Sequence, residues 1–376
     1  MRDLAELREE IDGIDRMIVE LYQRRMDIVT QVAEYKIENG KKVFDREREA
    51  QKIATLTALA GNAFDRNGIR ELFEQLISTS RKRQYQLMTE HGVCEKLEFT
   101  EVDGLDYRNA RIVFQGVEGA YTQLALKEYF GADADSYHVE TWRDAMEAIA
   151  NGEADYAVLP IENSSAGIVS ENYDLMVEYD HCIVGEQILK IEHALLGVPG
   201  TRISGITDVY SHPQALMQCG RYLDEHREWE RHSVKNTAMA AKKVKEDGRP
   251  SAAAIASRLT AEIYGLFVLD ESIQDNQTNA TRFIIVSGRR VYTKDAKKLS
   301  ICFEVPHESG SLYHMLSHFI YNGVNMNHIE SRPVQGKNWE YRFFVDFDGN
   351  LNDAAVQNVL RGLSEEAIRL KVLGNY

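Results

Sequence analysis

From Leu4 to Glu38 the chain contains no proline, and Leu4, Leu7, Ile11, Ile14, Ile18, Leu21, Arg25, Ile28, Val32 and Tyr35 recur in alternating steps of three and four. That period belongs to one face of an α-helix, and it predicts a single helix over residues 4–38. At 1.5 Å per residue such a helix is roughly 50 Å long. A small domain of its own cannot cover that length, so a second chain is predicted to cover part of it. Arg25 occupies a seam position among apolar neighbours, where a buried guanidinium requires an anionic partner. Lys36 lies 11 residues further on, about 20° round the helical wheel, and so shares that face three turns later. Arg8 lies 17 residues before Arg25, roughly 100° away, and is predicted to serve a different site.

Two more helices are predicted, one from Val43 to about Ala60 and one from about Ile69 to Thr89. On the third, Ile69, Leu72, Phe73, Leu76 and Ile77 form the apolar stripe, and Ser80 and Gln84 continue it as polar residues. All three helices thus place polar groups where core belongs, either as an internal hydrogen-bonded network or as a ligand site. Residues 91–107 lack periodicity and read as a linker.

Beyond the linker, strand-like and helix-like patterns alternate. The run Ala154–Leu159 reads as a buried strand that Pro160 should end, and Glu162-Asn163-Ser164-Ser165 follows at once, before a helical pattern resumes near Glu171. In open α/β sheets, loops at the carboxyl ends of strands gather ligands. Four other segments repeat this arrangement. Gly116 to Gln123, including Thr122, follows Ile112-Val113-Phe114, and Ser211-His212-Pro213-Gln214 follows Val209-Tyr210 and leads to Gln218 and Cys219. Asn236-Thr237 opens a helix over Ala238–Val244, and Asn276 to Arg282 leads into a strand at Phe283–Val286. Residues 297–376 read as strand, helix, strand, strand, helix, strand, a ferredoxin-like plan that by itself implies no function.

Composition narrows the classes of partner. Residues 1–90 hold 16 Lys+Arg against 17 Asp+Glu, whereas the remainder holds 28 against 42, so nearly all of the net charge of −15 sits on the later part. An acidic body disfavours nucleic acid and anionic membranes, and local arginines must then capture any small anionic substrate. No run of 18 apolar residues occurs, the N-terminus has no signal-peptide core, and Cys94, Cys182, Cys219 and Cys302 are scattered without a CxxC pair. This predicts a reducing cytoplasm and no structural zinc. His314 and His318 stand one helical turn apart but lack a third ligand nearby, so no metal is assigned. The spacing of Gly116 and Gly119 is not a dinucleotide fingerprint, and Cys219 reads as a small buried hydrophobe. No cofactor is called for.

Three resemblances carry the functional reading. The ordered motifs Pro160-Ile161-Glu162-Asn163-Ser164, Ser211-His212-Pro213-Gln214 and Thr281-Arg282-Phe283 resemble prephenate dehydratase. This implies a two-lobed α/β domain over 108–287, similar to periplasmic binding proteins, with its site on Thr122, Glu162, Asn163, Ser164, Ser211, Gln218, Asn236, Thr237, Thr281 and Arg282. Thr281 is implied as the donor to the departing hydroxyl, and Arg282 as a scaffold or carboxylate-binding group. Lys235 stands where some relatives have glutamate and receives no catalytic role. Residues 1–90 resemble the all-helical chorismate mutases, which implies substrate and catalytic positions at Arg8, Arg25, Lys36, Asp45, Arg48, Glu49, Ser80 and Gln84. There Lys36 and Gln84 would address the breaking ether oxygen, Glu49 the ring hydroxyl, and Arg8 would be lent across a homodimer.

Gly310-Ser311-Leu312-Tyr313 and the segment Asn325-Met326 to Glu330-Ser331-Arg332-Pro333 resemble the amino-acid-binding motifs of the ACT domain. They imply L-phenylalanine as effector over 297–376, although Ser311 and Tyr313 depart from the commoner motif. The chain thus reads as a multidomain enzyme taking chorismate to prephenate and prephenate to phenylpyruvate. Two rival readings are a two-lobed sensor without catalysis, and a dehydratase whose helices serve only to dimerise.

Overall fold

The computed structural model describes residues 2–93, 97–334, 336–337 and 340–376. Cys94 and the middle of the expected linker lie outside the described residues. The chain divides into two units, one of residues 1–98 with 297–372 and one of residues 99–296 with 373–376.

In the first unit the long periodic stretch forms a single helix, α1 (Leu4–Glu38). Only Val29 and Ala33 near its C-terminal end are fully buried. Leu4, Ile11, Ile14, Ile18, Leu21 and Ile28 stay exposed, so the apolar stripe is uncovered along most of its length. The second helix, α2 (Arg46–Thr57), begins later than its periodicity suggested, because Asp45 leaves the helical region and accepts a hydrogen bond from the Arg48 amide at 3.1 Å. The third, α3 (Ala63–Glu90), begins earlier than expected, with Asn62 accepting from the Asp65 amide at 2.8 Å. A capping side chain, rather than the first apolar residue, sets each of these starts.

The C-terminal segment of this unit follows the order strand Lys298–Glu304, helix Ser311–Tyr321, strand Met326–Pro333, strand Tyr341–Asp348, helix Ala354–Glu366, strand Arg369–Asn375. The second of these strands lies at the edge, next to the third, and the first pairs between the third and the fourth, as in a ferredoxin-like sheet. The helix α3 packs both against α1 and α2 and against Ala354–Glu366. Tyr85 Oη bonds Glu365 at 3.2 Å, Lys82 Nζ bonds Ser317 Oγ at 2.8 Å, and Thr89 Oγ1 bonds Asn358 Oδ1 at 2.7 Å. This explains why Ser78, Ser80, Arg81, Lys82 and Gln84 are all buried on one helix.

The second unit contains two large sheets and a two-stranded one. In the first, the strands run in the order Ser136–Val139, Ile112–Gln115, Tyr156–Asn163, Ala280–Ser287, Cys182–Lys190. In the second they run Phe267–Asp270, Ala194–Gly197, Ala252–Ala256, Asp208–Ser211, Glu230–Ser233. The chain leaves the first sheet after Lys190 and re-enters it at Ala280. These two crossings run side by side, with Ile191 N donating to Asn279 O at 2.8 Å and Ile273 N to His193 O at 3.0 Å. Each large sheet buries its own core, around Phe114, Val158 and Phe283 in the first and around Leu196, Val209 and Ile255 in the second.

Three local expectations are corrected here. Pro160 does not end its strand, which runs from Tyr156 to Asn163. The parallel ladder with Ile112–Phe114 stops at Val158, and beyond it the Pro160 carbonyl accepts from Asn172 Nδ2 at 2.6 Å rather than from a strand, so the missing N–H of Pro160 costs no ladder bond on that side. Thr281 and Arg282 lie inside the strand Ala280–Ser287 rather than in a loop before it. Within the stretch read as linker, Thr100–Val102 pairs in parallel with Val291–Thr293. No described helix is long and apolar enough to cross a membrane.

Candidate active sites

Thr281 and Asn163 are cross-strand partners in the antiparallel pair of the first sheet. Asn163 Oδ1 accepts from the Ser165 and Ala166 amides at 3.0 and 2.8 Å, which fixes the orientation of its amide. Its Nδ2 then donates to Thr281 Oγ1 at 2.9 Å, to Asn279 Oδ1 at 2.9 Å and to Ala280 O at 3.2 Å. With its oxygen accepting from Asn163, the Thr281 hydroxyl keeps its proton for a ligand. Thr281 lines a cavity of about 400 Å³ that gathers residues of both sheets, among them Thr122, Asn163, Gln218, Asn236 and Thr237.

Four other expected residues lie outside this lining. Arg282 follows Thr281 in a strand and so points to the opposite face, where it sits 3.6 Å from both Glu162 and Glu186. Ser164 Oγ accepts the Ala280 amide at 3.0 Å, and the buried Ser211 donates to Ile255 O at 2.6 Å. Glu162, Ser164, Ser211 and Arg282 hold the walls in place.

The structure adds residues that the sequence did not reveal. Trp142, Phe283, Ile191 and Val169 supply apolar wall, and Gln115, Tyr121 and His193 supply polar groups. His193 sits on the first crossing, between Tyr121 Oη at 2.9 Å and Gln218 Oε1 at 2.9 Å. Burial holds its pKa below the ordinary imidazole value against the opposing Gln218 hydrogen bond, so it is neutral at pH 7. A crossing residue of this kind has no local signal beyond being a histidine after a strand. Gly119 takes φ +85°, and a Cβ there would come within 3.3 Å of Thr260, whose hydroxyl bonds Gly119 O at 2.9 Å. Its loop leads into the helix Tyr121–Phe130, which opens without a side-chain cap. Asn236 caps the helix Thr237–Asp247 by accepting from the Met239 amide at 2.8 Å.

The expectation that arginines capture the anion fails at this cavity. Among the described lining residues the only Lys or Arg is Lys235, which is exposed near Glu140, and none is Asp or Glu. Burial pushes the Cys219 thiol up to about 12, so it remains a thiol. Asp208, Glu230 and His232 bring possible metal-ligating atoms together elsewhere on the second sheet, but Asp208 already bonds His232 at 2.8 Å and pairs with Arg249 at 3.6 Å.

The helical cluster has a different character. Arg25 Nη1 donates to Ser80 Oγ and, at 3.1 Å, to Leu76 O, with no carboxylate in salt-bridge range among the described residues. The carboxylate partner predicted for it is therefore not supplied by this chain's described residues, and burial holds its pKa below the usual value. Lys36 Nζ donates to Val43 O at 2.7 Å, and burial lowers its pKa while Glu365, Glu49 and Asp45 oppose that shift. Lys36, Phe44, Met88, Arg361 and Glu365 line a cavity of about 490 Å³. Gln84 Nε2 donates to Ser80 O at 3.1 Å and leaves its buried Oε1 without a partner. Glu49 pairs with Arg81, and burial raises its pKa against that attraction. Arg8, Asp45 and Arg48 are exposed.

In the C-terminal segment Gly310 adopts φ +82° at the start of its helix, and Ser311 and Leu312 help line a cavity of about 320 Å³. Glu330, Ser331 and Arg332 pair with Phe344, Phe343 and Arg342, towards that end of the sheet. Met326 pairs with Phe347 at the opposite end, about 20 Å away along the strand. Asn325 bonds Asn327 and Asp348 at 2.8 and 3.0 Å. One chain therefore does not bring Asn325 and Met326 to Gly310. His318, demoted as a metal ligand, bonds Glu366 at 3.1 Å.

A half-buried cationic cluster on helices and a neutral, hydrogen-bonding cavity at the crossings of an α/β unit are the two candidate small-molecule sites of an enzyme. Residues 7–85 match the family model of chorismate mutase type II, and residues 112–290 match that of prephenate dehydratase. The chain is 34% identical over 379 residues to the bifunctional chorismate mutase/prephenate dehydratase of Stutzerimonas stutzeri, covering 99% of this chain and 97% of that one. It is 31% identical over 380 residues to the enzyme of the same description from Escherichia coli (strain K12), covering 99% and 96%. Among solved structures it resembles a prephenate dehydratase in complex with L-Phe from Arthrobacter aurescens, with TM-score 0.66, 34% identity, and coverage of 71% of this chain and 89% of that one. The chain belongs to the bifunctional chorismate mutase/prephenate dehydratase family.

Proposed function

We propose that the chain rearranges chorismate to prephenate on its helical segment, and converts prephenate to phenylpyruvate in the cavity at Thr281, under feedback by L-phenylalanine. The mutase step is pericyclic and needs neither a nucleophile nor a proton transfer, only a fixed reactive shape and charge stabilisation. Arg25 and Arg48, joined by Arg8 from a second copy, grip the two carboxylates, and Asp45 and Ser80 hold that grip. Lys36 and Gln84 address the ether oxygen. Glu49 accepts from the ring hydroxyl. A half-buried arginine without a carboxylate partner among the described residues supports this reading.

In the dehydratase step the bond from the ring to the carboxylate breaks as carbon dioxide leaves. Its electron pair aromatises the ring, and the C4–O bond breaks as hydroxide, which becomes water. The step needs a donor at the departing oxygen and no strong base. Thr281 is that donor, and a cavity lined by no described Asp or Glu suits a departing carboxylate. Thr122, Asn163, Gln218, Asn236 and Thr237 position the substrate, with Lys235 and two helix openings for its anionic groups. Glu162, Ser164, Ser211 and Arg282 act through the walls. The two sheets form two lobes that close on the ligand.

We assign the domains as 1–90 mutase, 108–287 dehydratase and 297–376 ACT, with 91–107 between the first two no longer linker throughout, since Thr100–Val102 is a strand, in a cytoplasmic homodimer or higher homo-oligomer without metal or cofactor. Phenylalanine binds between ACT domains of two copies, with Gly310, Ser311 and Leu312 of one facing Asn325, Met326, Glu330, Ser331 and Arg332 of the other. The separation of Asn325 and Met326 from Gly310 within a single chain supports a shared site. The single observation that carries the chemistry is the Thr281 hydroxyl held by Asn163 with its proton free. The test supplies chorismate and follows prephenate and then phenylpyruvate, with and without phenylalanine, for the native chain and Gly310→Ala. Absence of either product defeats the corresponding assignment, and unchanged inhibition of Gly310→Ala defeats the effector site.

A further inference from the structure

No motif of the sequence gave a role to Arg81 or Glu366, which lie 285 residues apart and meet in the first unit. Arg81 Nε donates to Glu366 Oε1 at 2.8 Å and Nη2 to Glu366 Oε2 at 3.0 Å, a two-pronged clamp on a planar guanidinium. The remaining nitrogen, Nη1, is ion-paired with Glu49 on α2. The Phe44 ring lies against the guanidinium, 4.9 Å from its centroid. Glu366 is held from behind by His318 Nε2 at 3.1 Å. His318 in turn lies flush on the bare backbone of Gly362, where a Cβ would come within 2.4 Å of its ring. Side chains of Arg81 and Glu366 are only 9% and 5% exposed, so each link is shielded from water.

Because a guanidinium is rigid and planar, clamping two of its nitrogens fixes the direction of the third. Among the described residues, Arg81 is the one side chain bonded to the Glu49 carboxylate. One Glu49 oxygen is thereby held, and the other is left for a ligand. We propose that Arg81 is a positioning residue of the mutase site: clamped by Glu366, it aims the Glu49 carboxylate, so that the C-terminal segment completes the site on the helices. The inference rests on the reading that Glu49 receives the ring hydroxyl of chorismate.

The test uses the full chain and a double-mutant cycle. Glu366→Gln keeps the shape of the side chain but removes its charge and one of the two acceptors that Arg81 needs. It lowers mutase kcat/KM about tenfold and leaves dehydratase turnover of supplied prephenate unchanged. In a Glu49→Gln background the same change has less than about a twofold further effect, because its route to the substrate is already cut. Arg81→Lys does not rescue the site, since an ammonium cannot fork. A purely structural role predicts equal losses in both backgrounds, and that result overturns the proposal, as does an unchanged or raised mutase rate in Glu366→Gln. If Glu49→Gln itself leaves the mutase intact, the Glu49 reading beneath the proposal fails, a result distinct from additivity. Should Glu366→Gln not fold, Glu366→Asp, which keeps the charge but draws the clamp back, takes its place in the same cycle.

Discussion

Replacing Thr281 with alanine removes one hydroxyl, and the structure separates what that costs the fold from what it costs the reaction. For the fold, Asn163 Nδ2 loses one of three acceptors and keeps Asn279 Oδ1 at 2.9 Å and Ala280 O at 3.2 Å. The loss is that of one neutral hydrogen bond, about 1 kcal/mol, or a drop of about 2–4 °C in Tm for a unit of this size. For the reaction, a preorganised donor at the atom where negative charge develops is worth about 10²–10³ in kcat, or ~2.7–4 kcal/mol. Thr281→Ala should therefore lower dehydratase kcat by that factor with a nearly native Tm, while Thr281→Ser, which keeps the hydroxyl, stays within about tenfold of native. The assay follows phenylpyruvate formation from prephenate over a substrate range, with the mutase rate of the same preparation as internal control. If the alanine and serine variants behave alike, or the mutase rate falls in parallel, the hydroxyl is not the operative group.

Two further outcomes follow from the first unit. Lys36→Ala should abolish mutase activity while dehydratase activity on supplied prephenate survives, and steady-state rates on the two substrates check it; parallel loss in a folded variant counts against separate sites. Burial alone would raise the Glu366 pKa, but the His318 hydrogen bond and the Arg81 charge hold it at about 2, below the ordinary 4.5. The folded-state value is the lower one, so its contribution of about 3 kcal/mol is fully present above pH 4.5 and drains away as pH falls towards 2. Denaturant unfolding at pH 7 and pH 3 should show Glu366→Gln losing less stability on acidification than the native chain, and equal losses would refute the assignment.

Wherever the signal was local, the sequence was legible. The 3–4 spacing of α1, the helix opening at Asn236, and the strand–helix order of residues 297–376 each express steric and hydrogen-bonding rules that act within a few residues. Family motifs marked Asn163, Gln218 and Thr281, and these line one cavity. The same motifs left Arg282 as either scaffold or carboxylate-binding group, because only the pleat of a formed strand sends it to the face opposite Thr281. Pro160 misled for a related reason, since whether a missing N–H matters depends on which strand lies beside it.

The sequence by itself therefore determined the elements, their order and the residue types that chemistry requires. Tertiary structure alone decided the partnerships. Asn163 meets Thr281 across 118 residues, and Arg81 meets Glu366 across 285. His193 reaches Gln218 only because the first crossing passes the end of the helix Pro213–Gln218. Contacts at such separations leave no periodic trace in the sequence. They arise when apolar faces are buried together, and the polar groups carried inward must then find one another or bind a ligand.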